Sequence, residues 1–315
     1  MATTNLKELS NQPELLSGGH AACPGCAGPV ILRQVLLAAQ QDGKHVVSSI
    51  ATGCMEVSTT VYPNSAWRVP IVHNAFENSA ATISGAEAAY RSLKRQGKYD
   101  GECVFIAFGG DGGTYDIGLQ SLSGALERGH NFTYVCYDNE AYMNTGIQRS
   151  GATPMGASTT TAPAGEVEPG KRENKKDLTQ IAAAHNVPYC AQASPHRPRD
   201  LMAKVIKAVE TDGPCFINII SPCPRGWRYE PGDSIKIAQL AVDTCVWPVY
   251  EIEDGRLSIS YKPREKKPVR EWLKSQGRFR HLFAPKNEHM IEDIQKHIDL
   301  RWERLLAREA ADQPE

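Results

Sequence analysis

The sequence predicts an α/β protein with a mostly parallel sheet and helices on both faces of that sheet. Short apolar runs alternate with longer stretches of helical periodicity, as in parallel strands joined by helical crossovers. Several apolar runs end in glycine, aspartate, asparagine or cysteine, and ligands of open α/β sheets bind at the carboxyl ends of the strands. A chain of 315 residues is long enough for one large α/β domain or two small ones.

The predicted elements alternate along the first 220 residues. The buried strands are recognised by short apolar runs such as CVFIAF and CFINII, and the helices by longer amphipathic stretches. Strands are predicted at 45–50, 103–108, 132–137, 187–191 and 215–220, and helices at 27–40, 76–95, 115–128, 177–186 and 198–211.

Two segments depart from this alternation. Residues 146–176 are rich in Gly, Thr, Pro and Ala, and a connection of this length is uncommon in a compact domain unless it is functional. We expect this loop to close over a site or to pack on a partner. After a core domain of residues 1–235, residues 236–315 form an extension with a hairpin around 253–255 and a final helix over about 287–310. We expect the extension to pack on the core or on partner subunits.

Composition excludes several classes of protein. The chain is 41% hydrophobic and 23% charged, with a formal net charge of −1 and no basic stripe, which argues against nucleic acid as a partner. No apolar run approaches the roughly 20 residues that span a bilayer. The first 20 residues lack the apolar region of a signal peptide, so a cytoplasmic protein is expected. Nine cysteines, an odd number, argue against a disulfide framework.

The most informative stretch joins two predicted strands. The first strand ends in GGDGG, which contains Asp111, and the second ends in Asp138-Asn139. Glycines let the backbone approach a phosphate, and the following helix N-terminus favours negative charge. One strand–helix–strand unit brings the two strand ends side by side. Asp111 and the Asn139 amide oxygen can then share one Mg²⁺, although a glycine-rich turn alone also fits a tight turn with a helix-capping Asp111.

Four cysteines lie just beyond the ends of predicted elements, where loops can converge: Cys23, Cys26, Cys54 and Cys223. Four thiolates can hold Zn²⁺ or an iron–sulfur cluster, and their spacing leaves both open. A thioredoxin-like redox pair at Cys23 and Cys26 is a further alternative, which would leave Cys54 and Cys223 without a role.

These motifs together resemble a known family. The GDG turn followed by Asn after a strand is similar to thiamine-diphosphate enzymes, and EAYMNTG at 140–146 is similar to the 2-oxoacid:ferredoxin oxidoreductase version of that motif. The segments CPGC, TGCMEV and SPCPRGW resemble the beta subunit of pyruvate:ferredoxin oxidoreductase. The resemblance covers most of residues 18–230 and implies a thiamine-diphosphate-binding fold.

The resemblance also implies the cofactors and the residues that hold them. A [4Fe–4S] cluster would be bound by Cys23, Cys26, Cys54 and Cys223, with Cys54 also touching thiamine diphosphate. The diphosphate would lie on Gly110, Asp111, Gly112 and Gly113, and Mg²⁺ would be held by Asp111, Asn139 and the carbonyl of Ala141.

Two positions need separate comment. Asn144 would lie near the thiazolium and the substrate carboxylate as a catalytic residue, although an Asn there can also be a turn residue. Large single-chain relatives carry a cofactor-contacting glutamate two positions after the second cysteine; here that position is Gly28, so that contact is lost or replaced.

The implied reaction is thiamine-dependent oxidative decarboxylation of pyruvate to acetyl-CoA and CO₂, with electrons passed through the cluster to ferredoxin. The thiamine-activating glutamate would come from an alpha subunit, because Glu56 and Glu77 are candidates here only by their nearness to motifs. Gamma and ferredoxin-like delta chains would complete a hetero-oligomer of anaerobic metabolism, and this chain alone would be inactive.

Alternatives remain open at this point. The same machinery could act on oxalate without coenzyme A, or on another 2-oxoacid. Two further hypotheses are a thiamine decarboxylase without electron transfer and an electron-relay protein whose four-cysteine site is its whole function. Neither the physiological direction nor the subunit composition follows from the residues.

Overall fold

An eight-stranded sheet forms the centre of the computed structural model, which describes residues 5–312. Residues 1–4 and 313–315, the ends of the predicted N-terminal segment and C-terminal extension, lie outside the described residues. The strands are β1 (His45–Ala51), β2 (Ile71–Asn74), β3 (Cys103–Gly110), β4 (Thr133–Asp138), β5 (Tyr189–Ala193), β6 (Cys215–Ile220), β7 (Tyr250–Glu253) and β8 (Arg256–Ile259). Their order is β2-β1-β3-β4-β6-β5-β7-β8.

The α-helices of the described residues fill the predicted intervals and add several short elements. They are α1 (Leu6–Leu9), α2 (Ala27–Ala39), α3 (Cys54–Thr59), α4 (Ser79–Arg95), α5 (Leu119–Glu127), α6 (Leu178–Ala183), α7 (Pro198–Glu210), α8 (Pro224–Trp227), α9 (Ser234–Asp243), α10 (Val269–Lys274) and α11 (Glu288–Asp312). No helix within residues 5–312 is both long and apolar enough to cross a membrane.

Helices cover both faces of the sheet. On one face α2 and α7 bury an aliphatic core that includes Ile31 and Val205. On the other face α4, α5 and α6 bury Ile83, Leu122 and Leu178. Each fully buried side chain of this type contributes about 1.5–3 kcal/mol. The six strands β1–β6 pair in parallel, so the predicted fold class is confirmed.

The predicted helix at 115–128 is replaced by two elements. Residues Gly112–Ile117 form a π-helical turn, and α5 begins only at Leu119. The wide turn is closed by the Gly118 N–H, which donates to the Gly113 carbonyl at 2.7 Å. Such turns are rare and occur often at functional sites. The periodicity of the sequence does not distinguish a π turn from the first turn of an α-helix.

The strand order places a crevice at the carboxyl edge of the sheet. After β1 the chain continues to β2 on one side, whereas after β3 it continues to β4 on the other side. The loops that follow β1 and β3 therefore diverge and leave space between them, which is the usual ligand position in open α/β sheets. Both the GGDGG turn and the Cys54 loop border this crevice.

The C-terminal extension continues the sheet and brings a third apolar core. The hairpin β7–β8 pairs antiparallel with β5. Trp227, Trp272 and Phe279 pack with α9, α10 and α11 in this core. The division into residues 1–235 and 236–315 stays a prediction, and α9 spans that boundary.

Candidate active site

A narrow cleft at the carboxyl ends of β1, β3 and β4 collects most of the predicted site residues. Its walls come from the loop after β1, the GGDGG turn and the segment after β4. The predicted residues that line it are Cys54, Gly110, Asp111, Gly112, Gly113, Asn139, Ala141 and Asn144. Residues that are far apart in the sequence are thus neighbours, because parallel strands deliver them to one edge.

The glycines of the turn have no room for a side chain. A Cβ atom on Gly112 would lie 2.4 Å from the ring of Tyr142, and one on Gly113 would lie 2.7 Å from the Phe76 carbonyl oxygen. On the other wall, a Cβ on Gly53 would lie 2.7 Å from the Tyr137 hydroxyl. The walls of the cleft are therefore bare backbone where a ligand would meet them, as a diphosphate cradle requires.

Three oxygen atoms face one another at the bottom of the cleft. The Asn139 amide oxygen lies 2.8 Å from Asp111 Oδ1 and 2.8 Å from the Ala141 carbonyl oxygen, and exchanging the oxygen and nitrogen of that amide would turn both contacts into hydrogen bonds. A carboxylate, an amide oxygen and a backbone carbonyl are also the ligands that hard divalent cations prefer. The three atoms predicted to hold Mg²⁺ are thus the atoms that converge.

The buried charges around this point do not balance. Asp111, Asp138 and Glu140 are buried carboxylates, and the ion pairs that they make within residues 5–312 are with Lys175 and Arg278. Lys175 Nζ contacts Asp138 Oδ2 at 2.6 Å and Glu140 Oε1 at 3.0 Å. Burial and the nearby Asp138 raise the pKa of Asp111 well above its usual range. A cation at the oxygen triangle would remove this imbalance, so the residues present fit a bound divalent ion.

Tyr137 adds a donor to the cleft wall. Within residues 5–312 its buried hydroxyl donates no hydrogen bond, and it lies between Gly53 and Gly110. Buried polar groups are almost always paired, so a ligand oxygen in the cleft would satisfy this hydroxyl. Asn144 lies on an exposed turn at the mouth of the same cleft, and its catalytic role stays a prediction.

The four motif cysteines lie beside the cleft. Cys26 is the N-cap of α2, Cys54 begins α3 and Cys223 is the N-cap of α8. The Ala27 N–H donates to the Pro222 carbonyl at 3.4 Å and so joins the first cysteine loop to the last. The Gly226 N–H donates to Cys223 Sγ at 3.3 Å, a contact that tunes thiolate ligands of iron–sulfur clusters.

Burial and the neighbouring thiols change the pKa values of Cys26 and Cys54. Burial, with smaller effects of Cys223 and Cys23, raises the pKa of Cys26 to about 12. Burial and neighbouring thiols likewise raise the pKa of Cys54 to about 12. Reactive redox thiols have lowered pKa values, so this environment disfavours a thioredoxin-like pair and suits thiolates that a metal stabilises.

The spacing of the sulfurs bears on the kind of metal. Within residues 5–312 no three His, Cys, Asp or Glu side chains lie close enough together to hold one metal ion. A structural zinc site needs four ligands around one ion, whereas a [4Fe–4S] cluster binds each thiolate through a different iron and so holds its sulfurs farther apart. Among the described residues, the four thiols therefore do not surround a single point.

Several residues near the site carry no signal in the sequence. Ser150 Oγ donates to Asp111 Oδ2 at 2.5 Å, and Gly151 N–H donates to Asp116 at 2.8 Å. These bonds and the Lys175 ion pairs attach both ends of the 146–176 loop to the cleft. Arg278 reaches the site from the extension. None of these long-range contacts follows from periodicity or motif spacing.

Glu56 and Glu77 do not supply the missing thiamine-activating group in this chain. Glu56 is buried and pairs with His73 Nε2 at 3.1 Å, while Thr60 Oγ1 donates to it at 3.0 Å. Glu77 is exposed and does not line the cleft. Glu56 is thus engaged in a structural pair, and the activating carboxylate is still expected from a partner.

The departure at Gly28 has a physical cause. Gly28 is buried in α2, and a Cβ atom there would lie 2.3 Å from the sulfur of Met55. Met55 follows Cys54 directly, so the volume that a glutamate side chain would need is occupied. The cofactor contact made by glutamate in large single-chain relatives therefore has no counterpart at this position.

Comparison with known proteins shows that the chain matches thiamine pyrophosphate enzymes. The family model described as "Thiamine pyrophosphate enzyme, C-terminal TPP binding domain" matches residues 51–219, from the end of β1 to the end of β6. A solved structure titled as 2-oxoglutarate:ferredoxin oxidoreductase from Magnetococcus marinus aligns with a TM-score of 0.55 at 21% identity, over 71% of this chain and 79% of that chain. This likeness supports the fold alone.

Curated relatives define the family within that class. Pyruvate synthase subunit PorB of Thermotoga maritima is 52% identical over 97% of this chain and 96% of its own length. Ketoisovalerate oxidoreductase subunit VorB of Pyrococcus furiosus is 43% identical over 96% of each chain. The chain belongs to the family of 2-oxoacid:ferredoxin oxidoreductase beta subunits, which includes PorB. It is thus an oxidoreductase subunit that works with partner subunits, and the predicted resemblance is confirmed.

Proposed function

We propose that this chain is the beta subunit of a pyruvate:ferredoxin oxidoreductase that holds thiamine diphosphate, Mg²⁺ and a [4Fe–4S] cluster side by side. In the proposed reaction pyruvate loses its carboxylate as CO₂, its acyl group joins the sulfur of coenzyme A, and two electrons leave one at a time for ferredoxin. The oxygen triangle of Asp111, Asn139 and Ala141, beside the loop that begins with Cys54, carries this proposal.

The residues that would bind Mg²⁺ and the diphosphate form one half of the site, called the metal half. Asp111, the Asn139 amide oxygen and the Ala141 carbonyl would bind Mg²⁺, and the Gly110–Gly113 backbone would cradle the diphosphate. Ser150 fixes the Asp111 carboxylate by donating to its second oxygen. Thiamine diphosphate, when bound, supplies the electron sink for decarboxylation.

The cysteine half would supply the one-electron acceptor. Cys54 borders both the cleft and the cysteine cluster, so a cluster on Cys23, Cys26, Cys54 and Cys223 would lie next to the thiamine site. Ferredoxins take one electron at a time, and an adjacent [4Fe–4S] cluster, when bound, supplies one-electron redox chemistry. The Gly226 N–H and the half-buried position of Cys223 would set the environment of the cluster.

Partner subunits would complete the enzyme. We propose an alpha subunit that supplies the thiamine-activating glutamate, and gamma and ferredoxin-like delta chains, as separate or fused polypeptides. The relatives named above are themselves subunits. The cytoplasmic location is part of the same proposal.

Pyruvate is the proposed substrate because three relatives that are 52–53% identical to this chain are pyruvate synthase subunits. A relative named for ketoisovalerate at 43% identity shows that the scaffold serves more than one 2-oxoacid. Oxalate remains the alternative that needs no coenzyme A.

The test uses the anaerobically purified complex that contains this chain. Methyl-viologen reduction is measured with pyruvate, oxalate, 2-oxoisovalerate and 2-oxoglutarate, each with and without coenzyme A. We expect the highest kcat/KM with pyruvate, dependent on coenzyme A, together with bound thiamine diphosphate, iron and sulfide. Turnover of oxalate without coenzyme A, or a complex that holds zinc and no iron, would contradict the proposal.

A further inference from the structure

Arg278, from the C-terminal extension, is a buried cation that touches both halves of the site. Its side chain is 2% exposed in the 3-10 segment Gly277–Phe283. Nη2 donates to Glu140 Oε2 at 2.5 Å, and Nε donates to Gln276 Oε1 at 2.9 Å. The guanidinium also lies over the ring of Trp227, 4.0 Å from its centroid. A buried charge of this kind is retained only where its partners require it.

Towards the metal half, Arg278 holds the turn that carries two of the three converging oxygens. Glu140 lies between Asn139 and Ala141 and has a φ of 66°, a left-handed conformation that costs free energy for a residue with a side chain. The Glu140 N–H donates to Asp138 at 3.1 Å and its carbonyl accepts from Thr153 at 2.7 Å. Lys175 and Arg278 hold its carboxylate, so the turn depends on both cations.

Towards the cysteine half, Arg278 packs on the turn that begins at Cys223. The Trp227 N–H donates to the Cys223 carbonyl at 2.9 Å, and Trp227 Nε1 donates to the Asn139 carbonyl at 2.8 Å. Trp227 therefore joins the cysteine turn to the metal turn, and Arg278 covers it. The guanidinium is also near enough to Cys223 for its charge to act on that sulfur.

We infer that Arg278 is a positioning residue that fixes the metal turn and the Cys223 turn relative to each other, so that the extension is part of the catalytic architecture. This inference deepens the proposed function and rests on it. The positive charge beside Cys223 also favours the more negative, reduced state of a cluster bound there, and so raises its reduction potential.

Arginine suits this position better than lysine. A planar guanidinium can donate along its edge to Glu140 and Gln276 while its face stacks on Trp227, whereas a lysine ammonium is a point charge on a flexible stem. Replacement by lysine keeps the charge and loses the geometry, and replacement by methionine loses both. The two substitutions therefore separate positioning from electrostatics.

The test compares anaerobically purified complexes that contain Arg278→Met, Arg278→Lys or the matched control Arg270→Met. Arg270 lies in the same extension but is half exposed and pairs with Glu288 at the surface. Mg²⁺ affinity is titrated by tryptophan fluorescence in the presence of thiamine diphosphate. The midpoint potential is followed by EPR on the cluster signal that Cys223→Ser abolishes.

For both Arg278 variants we expect Mg²⁺ affinity to fall by about 10–100-fold, as for other partners that orient metal ligands. The cluster potential should become more negative in Arg278→Met and remain nearer the unsubstituted value in Arg278→Lys. Arg270→Met should change neither quantity.

Unchanged Mg²⁺ affinity and potential in an assembled Arg278→Met complex would overturn the inference. If that complex does not assemble, Arg278→Lys decides the question, because unchanged Mg²⁺ affinity there contradicts a positioning role. An unsubstituted complex without iron or thiamine diphosphate would overturn the proposed function itself, and with it the inference, so the two failures are distinguishable.

Discussion

The two halves of the site are built in different ways. The metal half, residues Gly109–Thr153, lies within one stretch of chain around β3 and β4, and its oxygens already converge. The cysteine half, consisting of Cys23, Cys26, Cys54 and Cys223, gathers four thiols from three loops, and its first and last members are 200 residues apart in the sequence. The residues of the metal half are close together in the sequence, whereas the four cysteines are brought together only when the whole sheet has formed.

This difference has energetic consequences. The metal half holds Asp111, a buried carboxyl whose pKa is raised well above its usual range by burial and by Asp138, so its ionisation has a cost that a bound cation offsets. In the cysteine half, burial raises the pKa of Cys26 and of Cys54 to about 12, so a metal must displace protons from these two thiols. We expect each half to lose its own cofactor when its ligands change, and changes at the contacts between them to affect both.

The largest effect is expected from Asp111→Asn. The substitution removes the charged ligand of the oxygen triangle. Mg²⁺ affinity should therefore fall by more than the ~10–100-fold loss typical when a residue that only orients a metal ligand is replaced, and activity should fall with it. Without Mg²⁺ the variant should be at least as stable as the unsubstituted complex, because a buried charge has been neutralised. Mg²⁺ titration, turnover assays and thermal unfolding measure the three quantities.

Asp116→Asn is the matched control for Asp111→Asn. Asp116 lies on the same turn and accepts from the same loop, through Gly151 and Lys176, but it does not face Asn139. If the control lost Mg²⁺ as strongly as Asp111→Asn, the loop contacts rather than the oxygen triangle would determine binding.

The second effect is expected from Cys223→Ser, which should lower the iron content of this chain. Ferredoxin reduction should fall by at least about 10-fold, while Mg²⁺ and thiamine diphosphate should still bind, because the metal half does not use this sulfur. Iron analysis, EPR and thiamine diphosphate content measure the outcome.

Cys190→Ser changes a buried thiol in β5 that contacts the Thr179 carbonyl, and it should leave the iron content unchanged. A Cys223→Ser complex with its full complement of iron would show that this residue is not a cluster ligand.

A smaller effect is expected from Ser150→Ala, which removes the hydroxyl that donates to Asp111 Oδ2. The carboxylate would then be free to rotate, so Mg²⁺ affinity should fall by about 10-fold, and the iron content should not change. Ser84→Ala removes a buried hydroxyl of α4 that donates to its own helix and serves as the control in the same titration. A Ser150→Ala complex with unchanged Mg²⁺ affinity would show that Ser150 does not orient Asp111 for Mg²⁺ binding.

The smallest effect is expected from Trp227→Phe, at the contact between the halves. Loss of the indole N–H leaves the Asn139 carbonyl unpaired and should cost about 1–3 kcal/mol of stability, with a modest weakening of both cofactors. Trp247→Phe removes an equivalent 2.8 Å bond, to the Ala193 carbonyl at the end of β5, and keeps an aromatic ring under Lys175. Denaturation should show similar losses for both, whereas cofactor binding should change only in Trp227→Phe. Equal cofactor loss in both variants would argue that stability alone is responsible.

The sequence predicted the sheet and the metal half because their signals are local. Strands such as β3 and β6 are apolar runs that end in glycine, serine or proline, and the GDG turn and Asn139 belong to one strand–helix–strand unit. The four cysteines were identified by their positions after predicted elements, but the cluster was predicted only through resemblance, since spacing left zinc and a redox pair open. Lys175 and Arg278 could not be predicted, because a charged residue in a loop or tail gives no sign of which distant carboxylate it will meet.

The most direct test of the account is a crystal structure of the anaerobically prepared complex with anomalous data on both sides of the iron and zinc absorption edges. We predict iron among Cys23, Cys26, Cys54 and Cys223, and Mg²⁺ bound by Asp111, Asn139 and the Ala141 carbonyl in the neighbouring cleft. Zinc at the cysteines, or sulfurs without metal beside an occupied thiamine cleft, would contradict it.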